Sequence, residues 1–258
     1  GDGWLFRKEP GIGLDIGSRK IKLVRLRKSG GGLQVMNWGS IATPPGVVDA
    51  GLIYDPERLG EAMGVMVNKL GLKGKSVISA VSGAQVYTRN LVMPRMKLQE
   101  LKEAVKYEAT TFLPIPVEEA AMDVFPLRNF EDEEGKKVEA FFVAVRRQQV
   151  ESLELVCRIA GLTLRVVEIE PLALNRILPG DSKLTARAFL NIGASRSYFS
   201  VFQDNVLVFN RHLAFGCAAF YQGGLDDVDI APGGQQDYLV RDIVAEVARS
   251  LEYYTIQN

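Results

Sequence analysis

Gly11-Ile12-Gly13-Leu14-Asp15-Ile16-Gly17-Ser18-Arg19-Lys20-Ile21-Lys22-Leu23-Val24 decides the fold, because it returns in altered form as Phe189-Leu190-Asn191-Ile192-Gly193-Ala194-Ser195-Arg196-Ser197-Tyr198-Phe199-Ser200-Val201-Phe202. Each copy runs an apolar strand into an acid or its amide, then Ile, Gly, a hydroxyl and Arg, and then a second β-prone strand. Each reads as a hairpin whose turn glycine, Gly17 or Gly193, lacks the Cβ that would hold a ligand off the backbone. Amides around such a turn converge on an anion, and Ser18 or Ser195 adds a hydroxyl. Asp15, at a strand end, suits a hydrated cation that bridges phosphate oxygens. A lone Asp-Ile-Gly-Ser occurs in many ordinary hairpins; the repetition is what gives this one weight.

The 258 residues allow one large domain or two to three smaller units. At 47% hydrophobic and 24% charged, the composition is that of a globular protein rather than a disordered one. Lysine plus arginine and aspartate plus glutamate both total 31, so no global field steers the chain to nucleic acid. Two cysteines and one histidine leave no disulfide framework and no zinc spacing, which fits a reducing compartment. No apolar run reaches the roughly 18 residues that span a bilayer. Any membrane association is expected to go through partners.

Around the first copy, strands are expected at 12–16, 21–26 and 33–41, the last two joined at Gly30-Gly31-Gly32. Apolar residues on both faces of the second strand predict burial on both sides, hence a layered α/β domain. Asp55-Pro56 marks a helix start, and Leu59, Met63, Met66 and Leu70 stripe that helix up to Gly71. A strand follows at 76–81. From about 84 to 168 the pattern reads as a self-contained βαββαβ unit, with an acidic turn at Glu131 to Gly135 and Cys157 on a buried helical stripe. No nucleophile with a base is recognisable there, and the segment reads as an inserted docking unit. A helix at 171–178 leads to the second hairpin. Residues 222–236 read as a loop, and 238–254 as a helix with Val240, Val244, Val247, Leu251 and Tyr254 on one face.

These residues resemble the actin-like ATPase superfamily and, within it, the PilM family of type IV pilus assembly proteins. Gly13 to Ser18 with Ile21 to Val24 resembles the superfamily's first phosphate-binding hairpin. The similarity continues through Leu91-Val92-Met93-Pro94, Tyr107-Glu108-Ala109, Pro114-Ile115-Pro116, Ala160-Gly161-Leu162, Asn191 to Ser195, and Ala245 to Tyr254. It implies actin-like (ribonuclease H-like) α/β lobes: subdomain 1A over 8–83 plus 169–186, an inserted subdomain 1C over 84–168 as in the division protein FtsA, and a second lobe, incomplete in this chain, over 187–258. It implies ATP or ADP with Mg2+ held between the lobes by Asp15, Gly17, Ser18, Lys22, Asn191, Gly193, Ala194, Ser195 and Glu246, with Asp15 on the metal side. Lys22 matches actin's phosphate-contacting lysine; a solvent-facing strand lysine is the other reading. Asn191 stands where the superfamily usually has Asp, so no catalytic residue is assigned and efficient hydrolysis is not expected.

The function implied is a cytoplasmic scaffold of the pilus inner-membrane platform. It would dock the cytoplasmic N-terminal tail of PilN in a groove between 1A and 1C, and contact other proteins of the inner-membrane complex, with homo-oligomerisation left open. The chain would then be peripheral to the inner membrane. The alternatives are the cytoplasmic actin-like domain of a type II secretion protein of the GspL kind, or an active actin-like ATPase or phosphotransferase.

Overall fold

The computed structural model describes residues 11–30, 32–177, 185–217 and 235–257. They form two compact units, 1–82 with 148–170 and 83–147 with 171–258.

The first unit is built on a five-stranded sheet. Its elements are β1 (Ile12–Ile16), β2 (Lys20–Ser29), β3 (Gly32–Ala42), the two-residue pair β4 (Val48–Asp49) and β5 (Leu52–Ile53), α1 (Pro56–Lys69) and β6 (Ser76–Val81). Strand order is β10-β6-β1-β2-β3, with β10 defined below; β1 runs antiparallel to β2 and parallel to β6. The α1 start follows its sequence signals: the Asp55 carboxylate accepts from the Arg58 amide at 3.0 Å, and Pro56 occupies the first turn. Leu59, Met63, Met66 and Val67 of α1 are buried, and Gly71 ends the helix with φ +64°.

The helix α1 covers one face of this sheet. A Cβ on Gly39 of β3 would lie 2.9 Å from Leu70 and 3.0 Å from the Met66 sulfur, which places α1 on the face holding Leu14, Ile21 and Leu23. The expectation that β2 is buried on both sides therefore fails: Ile21 and Leu23 are buried, whereas Lys20 and Lys22 are exposed. The apolar residues on the other face of β2, Val24 and Leu26, are only half-buried.

The second unit begins with β7 (Val86–Pro94), α2 (Leu98–Phe112), a short 3-10 turn at 117–119, β8 (Ala120–Asp132) and β9 (Gly135–Arg146). The sheet order is β7-β9-β8, and α2 supplies Leu101, Val105 and Ala109 to a core with Val124, Ala140 and Phe142. The acidic turn is solvent-exposed and tight: Glu131 to Glu134 are exposed, Asp132 and Gly135 pair directly, and Lys137 bonds to both Asp132 and Glu134. Those bonds hold Asp132 below, and Lys137 above, its ordinary pKa.

The next two elements correct the sequence reading. The helix α3 (Arg147–Ile159) and the strand β10 (Thr163–Ile169) do not complete a βαββαβ insert. β10 pairs parallel to β6, joining the first sheet, so the inserted segment with its own sheet is βαββ over 83–147. Periodicity announces a strand but not its partner, and β10 finds its hydrogen bonds beside β6. Glycine makes this docking tight: a Cβ on Gly60 of α1 would sit 2.7 Å from Ile159 of α3.

Within the second unit, α4 (Glu170–Ile177) precedes β11 (Ala186–Ile192), β12 (Ser197–Gln203) and β13 (Val206–Leu213), an antiparallel sheet in that order. The helix α5 (Gln235–Gln257) turns Val247 and Tyr254 toward a core of Phe199, Val201 and Leu213, while Val244 and Leu251 are exposed. The stripe read from the sequence is thus only partly the buried one. The Val240 side chain and most of the loop expected at 222–236 lie outside the described residues.

Candidate functional site

The two hairpins share one turn geometry. In the first, the Gly17 amide donates to the Lys20 carbonyl at 3.0 Å; in the second, the Gly193 amide donates to the Arg196 carbonyl at 2.9 Å. Both turns need glycine for the same reason: a Cβ would lie 3.2 Å from the Lys20 oxygen at Gly17, and 2.6 Å from the Arg196 oxygen at Gly193. Each turn is also braced from downstream through the glycine carbonyl. Gly17 accepts from the Thr43 hydroxyl at 2.7 Å, and Gly193 from the Cys217 amide at 2.8 Å. Sequence reasoning missed both braces; the signal was their common position just past the third strand of each meander.

The residues at corresponding positions differ in chemistry. Asp15 lies opposite Lys22 in the β1–β2 register, and their side chains bond at 2.8 Å. Both are largely exposed, at 63% and 59%, so this pair is available to a ligand rather than built into the core. In the β11–β12 register Asn191 takes the Asp15 place and Tyr198 the Lys22 place. Tyr198 packs edge-on against His212 of β13, with centroids 5.3 Å apart. The second turn therefore offers an amide and a phenol where the first offers a carboxylate and an ammonium. Burial and the neighbouring Arg196 charge hold His212 below its ordinary pKa.

Ser18 is half-buried on the first turn, and Ala194 and Ser195 are half-buried on the second. Gly216 lies so close that a Cβ there would meet the Ala194 carbonyl at 2.3 Å. Glu246 has a different setting. On α5 its carboxylate bonds to Arg211 of β13 at 3.3 Å and to Arg249 on its own helix, and Arg211 also reaches the Ser250 hydroxyl.

Among the described residues no three His, Cys, Asp or Glu side chains gather as a metal cage. A magnesium ion at Asp15 would therefore be held by one carboxylate, with phosphate oxygens and water completing its shell, which is how magnesium commonly binds with nucleotides. The exposed Asp15–Lys22 pair beside a glycine turn fits such a group.

Two braced glycine-turn hairpins, each opening a β-meander in an α/β framework, define a protein of the actin-like ATPase fold. The sequence model of one family, described as type IV pilus assembly protein PilM, matches residues 13–231, and the chain belongs to that family. Among solved structures, it is similar to the PilM-PilN type IV pilus biogenesis complex. That match has a TM-score of 0.80 and 25% identity, and covers 97% of this chain and 79% of that one. It is also similar in fold to the cytoplasmic domain of EpsL, an inner-membrane component of the type II secretion system of Vibrio cholerae. There the TM-score is 0.51 and the identity 11%, over 80% of this chain and 71% of that one. No helix among the described residues is long and apolar enough to cross a membrane.

Proposed function

We propose that this chain is a scaffold of a type IV pilus assembly platform on the cytoplasmic side of the inner membrane, and that it holds the cytoplasmic N-terminal tail of a PilN-type protein. The observation that carries this reading is the likeness, over 97% of the chain, to the PilM-PilN type IV pilus biogenesis complex. An extended tail recognised by a preformed scaffold gains affinity from main-chain hydrogen bonds and specificity from side-chain pockets.

In this reading the Asp15 hairpin is a nucleotide holder. Gly17 and Ser18 would offer donors to phosphate, Lys22 would bond a phosphate oxygen, and Asp15 would take the magnesium side. Gly193, Ala194 and Ser195 form the corresponding turn of the second hairpin. When bound, ATP or ADP with Mg2+ would supply a charged ligand at this hairpin. Asn191 and Tyr198 cannot accept a proton from water or order it as a carboxylate does, which supports binding without efficient turnover.

Calorimetry of the chain with a synthetic PilN-type tail, with and without ATP and Mg2+, tests this. Saturable binding is expected, and a folded sample that takes up no peptide would sink the scaffold reading. Nucleotide matters to that contact only if it changes the peptide affinity. Magnesium-dependent phosphate release abolished by Asp15→Ala would overturn the non-hydrolytic reading.

A further inference from the structure

Residues 16–48 contain six lysines and arginines and no aspartate or glutamate, in a chain whose formal net charge is zero. The β2–β3 hairpin lies within that stretch, and the acid next to it in space, Asp15 of β1, is bonded to Lys22. At the same place lie four exposed large apolar side chains: Leu33 at 66%, Val35 at 55%, Met36 at 43% and Trp38 at 70%. Isolated exposed hydrophobics are ordinary, but four within six residues on one strand are not.

A β-bulge explains why three of them gather. The register passes from Arg25 opposite Asn37 to Leu26 opposite Val35, leaving Met36 as the extra residue of β3. Asn37 points to the helix-covered face, where its amide donates to the Leu70 carbonyl at 3.2 Å. Trp38, opposite Val24, is on the other face. Without the bulge, Leu33 and Val35 would alternate onto the helix side; with it they pair with Lys28 and Leu26 on the Trp38 face. The result is an apolar patch of Leu33, Val35 and Trp38 with Leu26 behind it, flanked by Lys20 and Lys28 and by the Lys22–Asp15 pair, while Arg27, near the hairpin end, is on the opposite face.

We propose that this hairpin is a direct docking surface for an anionic lipid bilayer. Charge complementarity selects that occupant: Lys20 and Lys28 lie on the patch's own face, and Asp15, the carboxylate across from Lys22 on that face, is held by Lys22, so the patch presents cations to an anionic headgroup layer. Trp38 and the aliphatic side chains enter the interfacial zone, where an amphipathic indole is favoured. Neither the apolar patch nor the cations would hold the protein alone, and together they form the two-signal anchor that peripheral binding requires. The contact is separate from the tail-docking reading, since it involves no protein partner.

The test is co-sedimentation of the 258-residue chain with vesicles of phosphatidylglycerol and phosphatidylethanolamine, against vesicles of phosphatidylcholine alone. Binding to the anionic vesicles that weakens with salt is expected, together with a blue-shifted Trp38 emission in a Trp4→Phe background. Arg27→Glu with Lys28→Glu should weaken binding by at least about twentyfold, on the basis of roughly fivefold per surface charge. Trp38→Ser should weaken it at unchanged charge, and Lys106→Glu, on α2, should leave it intact. Arg27, Lys28, Trp38 and Lys106 are all exposed, and unchanged circular dichroism checks that the variants fold. Equal pelleting with phosphatidylcholine, no pelleting, or binding that survives the double reversal would overturn the proposal. So would capture of an acidic amphipathic peptide by the hairpin without vesicle binding, which would assign the surface to a protein.

Discussion

At the residue scale, the positions that matter most are those whose chemistry differs between the two hairpins. Asp15 and Lys22 are exposed and bonded only to each other in the described contacts, so their value to the fold is small. Lys22→Met is expected to change unfolding free energy by less than about 1 kcal/mol while weakening nucleotide binding, a split that denaturant unfolding and calorimetry together resolve. His212 is the chain's one histidine. Burial disfavours its charged form and Arg196 repels it, so its folded pKa lies below 6.5 and the unfolded chain binds the proton more readily. Its stabilising contribution is present above that value and is lost as pH falls through the depressed one. The expected outcome is a thermal midpoint that drops on acidification from neutral pH, and a shallower drop in His212→Phe, read by calorimetry at matched ionic strength. Cys157 behaves in the opposite sense. Burial pushes its thiol from 9.0 up to about 12, so it is inert at neutral pH, and its contribution is lost as pH rises through that range. Native mass spectrometry after mild alkylation should find Cys157 unmodified until the protein is denatured.

At the element scale, much was legible and the misses have physical causes. The α1 cap, the stop at Gly71 and the glycine turns follow from side chains acting on their own backbone neighbourhood, which is why Asp55-Pro56 and Gly17 announce themselves in the sequence. The braces at Thr43 and Cys217, and the bulge at Met36, depend on which strand lies alongside. The chain's departure into the insert and its return are joined in the same non-local way. Gln149, at the start of α3, donates its amide to the carbonyls of Gly51 at 3.1 Å and Ser82 at 2.9 Å. Gln149→Leu leaves both carbonyls without that donor and should cost about 2 kcal/mol in chemical denaturation. Gly51 has φ +79° and no room for a Cβ, which would lie 2.4 Å from the Ser82 oxygen. Gly51→Ala should therefore lose on the order of 2–4 kcal/mol, more than a surface substitution does.

At the scale of the whole molecule, balanced charge has its own consequence: at a sequence pI near 6.8 nothing global keeps copies apart. Light scattering at low ionic strength should find self-association greatest close to that pH and relieved on either side of it. The fold class, the repeated hairpin and membership of a pilus-assembly family were determined by the sequence, because hairpins, caps and turn glycines are written in short stretches whose physics is local. The sequence also determined the substitution of Asn191 for an acid. Tertiary structure alone decided that β10 completes the first sheet rather than the insert, and that α1 lies over the face holding Leu14, Ile21 and Leu23. It also decided that Leu33 and Val35 share a face with Trp38. The reason is common to all three. A strand's period of two states that a residue has a face, but which partner supplies its hydrogen bonds, and which layer lies over that face, is settled only when distant segments pair.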